Sequence, residues 1–167
     1  AATGPLRART PDAASPKSRL LRIDGDTTTA AAVDGMFPIT GRHDMGQSKN
    51  NRFGGPRKHG GQDLFAACGT PLVAVRDGTV QHVAYQKRAG NYVVIQHADG
   101  RSTAYMHMRL PTDLRTGDQV QAGDVIGEVG ETGRASGCHL HFEMWTAPGW
   151  YRGGHAVDPL ATLRGLD

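Results

Sequence analysis

The sequence predicts an all-β fold, an antiparallel sandwich or barrel, and three observations predict it. Short runs rich in β-branched and aromatic residues recur along the chain. Turn signals separate them every 8–12 residues, with Gly alone supplying 23 of 167 positions. No segment carries a helical period of convincing length. A chain of 167 residues suffices for one domain with a real core, and is short for two.

Residues 1–33 are rich in Ala, Thr, Ser, Pro, Arg and Asp and lack a periodic apolar pattern. Such a segment buries too little surface to offset its ordering entropy, so a loosely ordered N-terminal tail or linker is expected there, with the folded domain at 34–167. The first expected strand is 36–39 (Met-Phe-Pro-Ile), followed by a polar, Gly-rich loop over 42–58. Residues 72–75 end at Asp77-Gly78, and 79–85 follow directly as a second run. Residues 91–97 and 102–108 flank Asp99-Gly100, the clearest hairpin signal in the chain. Residues 125–129 lie between Ala122-Gly123-Asp124 and Gly130, and 139–145 form the last strong strand. Pro159 to Leu163 has room for one helical turn.

Composition narrows the function classes. No apolar run approaches the roughly 18 residues needed to span a bilayer, so no transmembrane segment is expected. The chain starts Ala1-Ala2-Thr3 without Met or an apolar leader, which reads as a mature form whose signal peptide has been removed. A net charge of +3 is mild, and no basic run is interleaved with aromatics, so nucleic acid is a poor partner. A monomer is expected. The run from Gly117 to Gly127 resembles the turns of barrel-sandwich carrier domains, which present a modified lysine between two methionines. None of Lys17, Lys49, Lys58 and Lys87 is so flanked, which argues against a carrier role.

The histidines carry the chemistry. His43, His82 and His155 read as surface or satisfied residues, and His97, before the Asp99-Gly100 turn, as structural. In His59-Gly60-Gly61-Gln62-Asp63, a His and an Asp stand four apart. A straight strand would separate their Cα atoms by roughly 13 Å, and the paired glycines oppose a helix. The same glycines permit a bend that turns both side chains to one point. In His139-Leu140-His141, strand alternation puts both imidazoles on one face about 7 Å apart. Zinc takes His nitrogen and Asp oxygen, and a catalytic site keeps three protein ligands and an open position. Spacing leaves open which three of these four bind. His107, among apolar neighbours in Ala104-Tyr105-Met106-His107-Met108, becomes a candidate proton-transfer group if a metal lies nearby.

Together these residues resemble the lysostaphin-type, or β-lytic, zinc metalloendopeptidases. The signature His-x-Gly-x-Asp, then Tyr-x-His, then His-x-His is met by His59–Asp63, Tyr105-Met106-His107 and His139-Leu140-His141. Gly69-Thr70-Pro71, Asp77-Gly78-Thr79-Val80, Gly130-Glu131-Thr132-Gly133 and Val157-Asp158-Pro159-Leu160 extend the resemblance over about residues 37–163. It implies a barrel-sandwich hybrid with a duplicated hybrid motif. It also implies zinc (Zn2+) held by His59, Asp63 and His141, with His107 and His139 flanking the reacting carbonyl. The implied substrate is the peptide part of bacterial peptidoglycan, and the implied location is secreted or cell-envelope. Non-catalytic relatives that activate other wall hydrolases are marked by lost ligands, whereas all five residues are retained here; a zinc peptidase of glycine-rich proteins would show the same site. Glu143 shares the strand face of His139 and His141, where it either orients an imidazole or sits at the surface.

Three positions depart from the family pattern: Cys138 stands for a common proline, Met108 for a leucine, and Gln62 for an apolar or aromatic residue of the groove wall. If Asp63 and His141 share one ion, their strands are neighbours. Cys68 and Cys138 then come within reach of each other, and a disulfide between them is expected in an exported protein.

Overall fold

The computed structural model describes residues 35–56 and 58–167. The expected tail, residues 1–33, lies outside the described residues. Among the described residues nine strands form: β1 (Gln62–Phe65), β2 (Pro71–Val73), β3 (Gly78–Gln86), β4 (Gly90–Gln96), β5 (Ser102–Met108), β6 (Gln119–Val120), β7 (Val125–Glu128), β8 (His139–Trp145) and β9 (Ala156–Val157). A helix, α1 (Leu160–Leu166), closes the chain. All pairings among these strands are antiparallel. One sheet runs β1-β8-β5-β4-β3-β6 with β9 on β8, and β2 pairs with β7 in a second sheet.

Alternation along the central strands builds two faces. Leu140 and Phe142 of β8, Tyr105 and Met108 of β5, and Val93 and Ile95 of β4 point to the face that packs on Leu72 and Ile126 of the small sheet. Each is fully buried, which stabilises the fold by about 1.5–3 kcal/mol per large side chain. Tyr105 ties the layers by more than packing. Its hydroxyl accepts from the Val75 amide at 2.9 Å, and complete burial pushes its pKa up to about 12. Leu163 of α1 enters the same core.

Several expectations change. Residues 36–39 make no strand: Ile39 forms a single bridge to Leu72, while Phe37 and Ile39 lie in the core. β1 emerges where no separate strand was anticipated, because it pairs with β8 along its whole length, Gln62↔Phe142 to Phe65↔His139. The helix is longer than one turn because Leu163 and Leu166 both pack against the core. Gln62 does not line a groove wall. It is fully buried on the core side of β1, and its side-chain amide donates to the carbonyls of Met45 at 2.6 Å and Gly46 at 3.2 Å. It thus pins the preceding loop along β1, which the Asp44↔Phe65 bridge and the Asp63 N–H to Asn51 bond also do, so the outer edge of β1 is covered. Among the described residues no helix is long and apolar enough to cross a membrane.

Candidate metal centre

The other face of the large sheet opens into a cleft of about 880 Å³ that contains His59, Asp63, His107, His139, His141 and Glu143. Asp63 on β1 and His141 on β8 are direct cross-strand partners, and Met106 on β5 faces His141 from the other side. His59 reaches the pair from the loop before β1. Gly60 and Gly61 allow this by close approach rather than by unusual φ. A Cβ on Gly61 would collide with the Phe142 carbonyl oxygen, and one on Gly60 would come within 2.9 Å of Glu143 Oε1.

His59, Asp63 and His141 each offer one ligand atom, all within 4.8 Å of one another. Asp63 Oδ1 lies 3.1 Å from His59 Nε2 and 2.9 Å from His141 Nδ1. His59 Nδ1 donates to the Arg52 carbonyl at 3.1 Å, so a neutral His59 turns a bare Nε2 lone pair to a carboxylate oxygen. His141 faces a second carboxylate, with Nε2 at 3.1 Å from Glu143 Oε1, although a neutral imidazole has only one N–H. These contacts demand positive charge among the three side chains, and a divalent cation of zinc's size and ligand preference fits that demand. The surroundings of the ionisable groups express the same demand. Burial opposes charge on His141, but its bonds to Asp63 and Glu143 outweigh burial and hold its pKa up to about 9. Burial likewise opposes charge on Asp63, and its bonds to His141 and His59 hold the carboxyl well below the usual range.

Glu143 is buried, not a surface residue. Its Oε2 accepts from Trp145 Nε1 at 2.8 Å while Oε1 faces His141, so the carboxylate orients the imidazole.

His139 and His107 differ from the ligand-like group. His139 Nε2 stands 3.9 Å from Asp63 Oδ1, and its Nδ1 donates to the Gly137 carbonyl at 2.9 Å. His107 Nδ1 donates to the Thr132 carbonyl at 2.8 Å. The two rings are 4.7 Å apart between centroids, and each keeps Nε2 as its unbonded nitrogen. Burial, ahead of repulsion from His139 and His141, pulls the His107 pKa down to about 4. Plain alternation would point His107 to the core with Tyr105. A bulge prevents this: Asn91 pairs with Met108 and Val93 with Tyr105, so β5 spends an extra residue there, and His107 takes φ 63°. The strain turns the imidazole into the cleft.

Cys68 and Cys138 are bonded, with Cα atoms 5.3 Å apart, just beyond the Phe65↔His139 end of the β1–β8 ladder. His97 is structural, bonding to the Asp77 carbonyl at 2.9 Å and Thr103 Oγ1 at 3.0 Å. His43 stacks on Phe37, His155 bonds Thr146, and His82 lies beside Tyr92; all three are outside the cleft. Residues not anticipated from sequence also line it, among them Arg88, Arg134, Trp145, Trp150 and Tyr151. Trp145 was within reach of alternation, two residues past Glu143 on the same face, and both tryptophans of the chain fall in this stretch.

Comparison with known proteins agrees with this geometry. Residues 57–159 match peptidase family M23. A peptidoglycan DD-endopeptidase of Vibrio cholerae, ShyC, is 41% identical over 88 residues, 53% of this chain and 20% of the relative. An uncharacterized metalloprotease of Buchnera aphidicola is 36% identical over 134 residues, 77% of this chain and 35% of the relative. The chain therefore spans only a fifth to about a third of the length of these curated relatives. Among solved structures, lysostaphin from Staphylococcus simulans superposes with a TM-score of 0.58 at 31% identity, covering 66% of this chain and 46% of lysostaphin. A LytM protein from Ruminococcus gnavus gives a TM-score of 0.65 at 25% identity, covering 81% of this chain and 62% of that one. By the extent of the match and the antiparallel fold that carries it, this chain belongs to peptidase family M23.

Proposed function

We propose that this chain is a zinc endopeptidase that hydrolyses peptide bonds in bacterial peptidoglycan cross-links. His59, Asp63 and His141 hold the ion, and His107 and His139 act on the reacting amide. One observation carries the reading. Three ligand atoms within 4.8 Å stand on the cleft floor beside two imidazoles whose Nδ1–H groups are tied to main-chain carbonyls.

Zinc bound there supplies Lewis-acid chemistry, polarising a carbonyl and acidifying water. The chain supplies the rest. His107 and His139 present Nε2 lone pairs into the cleft, so one accepts the proton that water gives up as its oxygen joins the carbonyl carbon. The one Nε2–H so formed faces the negative oxygen and then returns its proton to the amine as the C–N bond breaks. Glu143 and the Arg52 carbonyl fix the orientation of His141 and His59. A wall substrate places this activity outside the cytoplasm, in the envelope or medium, where the Cys68–Cys138 bridge persists.

The test is digestion of purified cross-linked peptidoglycan by zinc-loaded protein, with fragments identified by mass. Cross-linked dimers should convert to monomers bearing new amines, and a chelator should stop the conversion. Zinc-loaded protein that leaves every cross-link intact would overturn the reading.

A further inference from the structure

The cleft continues past Glu143 onto an aromatic shelf. Trp145 lies two residues beyond Glu143 on the cleft face of β8, and the β8–β9 connection brings Trp150 and Tyr151 against it. Tyr151 meets Trp150 edge-on at 4.4 Å and Trp145 at 5.4 Å between ring centroids, and buried Tyr92 supports Trp150 at 5.7 Å. The shelf is fixed in place. The Trp150 amide donates to Ser102 Oγ at 2.8 Å, Gln81 Nε2 donates to the Trp150 carbonyl at 2.9 Å, and Trp145 Nε1 is held by Glu143.

Tyr151 is nevertheless 76% exposed and sits at φ 48°, a conformation unfavourable for a bulky side chain. A bulky residue at a strained backbone angle, with its ring left open to solvent at the rim of the cleft, is an arrangement folding alone does not favour.

We propose that Trp145, Trp150 and Tyr151 form a saccharide subsite that takes the glycan strand to which the substrate peptide is attached. This rests on the peptidoglycan reading above. Tyr151 offers an open ring beside two half-buried indoles at the rim of the cleft, and such aromatic surface suits the C–H face of a pyranose. The three shelf residues carry no charge, in keeping with a neutral sugar. Distance fits as well. Trp145 is four residues from His141, about 13 Å along a strand, and an extended stem peptide of about three or four residues spans roughly 10–14 Å. A cross-link at the metal centre thus leaves the sugar end of its stem over the shelf.

The test compares wild type, Tyr151→Ala, Tyr151→Phe and Trp150→Ala as zinc-loaded full chains on two substrates. One is the cross-linked peptide dimer still attached to glycan, the other the same dimer freed of sugar. Tyr151→Ala should raise KM about fivefold on the glycan-linked substrate with kcat unchanged, and leave the sugar-free dimer within about twofold; Tyr151→Phe should restore the wild-type KM. Independently of turnover, a soluble tetramer of β-1,4-linked N-acetylglucosamine should change the tryptophan fluorescence of wild type and Tyr151→Phe, with the midpoint about fivefold weaker in Tyr151→Ala. Equal losses on both substrates would show that the shelf holds peptide, and no loss on either would show that it holds nothing; each overturns the proposal. If wild type cleaves neither substrate, the enzymatic reading falls while the tetramer titration still decides the shelf, and no fluorescence response in wild type refutes it.

Discussion

His141 and His107 lie 6.1 Å apart between ring centroids, yet their surroundings push them in opposite directions. Both are buried, and burial opposes charge on each. His141 stands between two carboxylates, which reverse the effect of burial and raise its pKa to about 9. His107 bonds a main-chain carbonyl and stands beside other imidazoles, and burial prevails over that bond and the weaker pull of Asp63, taking it to about 4. One side of the cleft is therefore built to hold a positive charge, and the other to keep an imidazole neutral and able to accept a proton. Groups whose environments drive their pKa values apart divide the labour of a catalytic site. The backbone follows the same division. The charge-holding side rests on an unbroken ladder, Asp63↔His141, whereas the neutral side rests on a bulge.

The largest effects should come from the charge-holding side. His59→Ala, Asp63→Ala and His141→Ala should each lose zinc and activity together, on the order of 10³-fold or more in rate, because three ligands leave no redundancy. Metal analysis beside the peptidoglycan assay checks this. His107→Ala and His139→Ala should retain zinc while turnover falls roughly 10²–10⁴-fold. If His139→Ala empties the site as fully as His141→Ala does, the division is drawn in the wrong place. Glu143→Gln sharpens it further. Removing one of the two charges that face His141 should weaken zinc about 10–100-fold in a chelator competition, with turnover of the saturated protein nearly kept. Unchanged affinity would mean that Glu143 serves Trp145 alone.

The two sides also differ in how legible they were. Strand 102–108 and strand 139–145 match the bounds observed for β5 and β8, because alternating apolar residues and the Asp99-Gly100 turn are local signals. The shared face of His139, His141 and Glu143 follows from the same alternation. β1 has four residues behind a glycine-rich loop, and only its partner β8 makes it a strand, so nothing local announces it. Gln62 was misplaced for the same reason, since without the strand its side could not be assigned. The bulge at His107 was hidden too: alternation assigns that imidazole to the core, and an extra residue in a register is a property of two strands, not one. Trp150 and Tyr151 reach the cleft through a loop whose path is set by Ser102 and Gln81, distant in sequence.

The smallest predicted effect tests the neutral side through stability. The His107 pKa is near 6.5 in the unfolded chain and about 4 in the fold, so the unfolded state takes up a proton that the native state refuses. This contribution is complete above pH 6.5 and is lost as the pH falls through about 4. A cation held by the neighbouring group pushes His107 the same way. His107→Asn removes the titration while suiting the backbone, because Asn tolerates positive φ and its side-chain amide can still donate to the Thr132 carbonyl. Wild type should therefore lose a few degrees more in Tm between pH 7 and pH 5 than the Asn variant does. His97, whose pKa burial also lowers, acts in the same direction but is present in both proteins, as is His141, which acts in the opposite one. The difference between the two slopes isolates His107. Equal slopes would mean that the bulged histidine is protonated as easily in the fold as outside it, and the contrast with His141 would lose its neutral half.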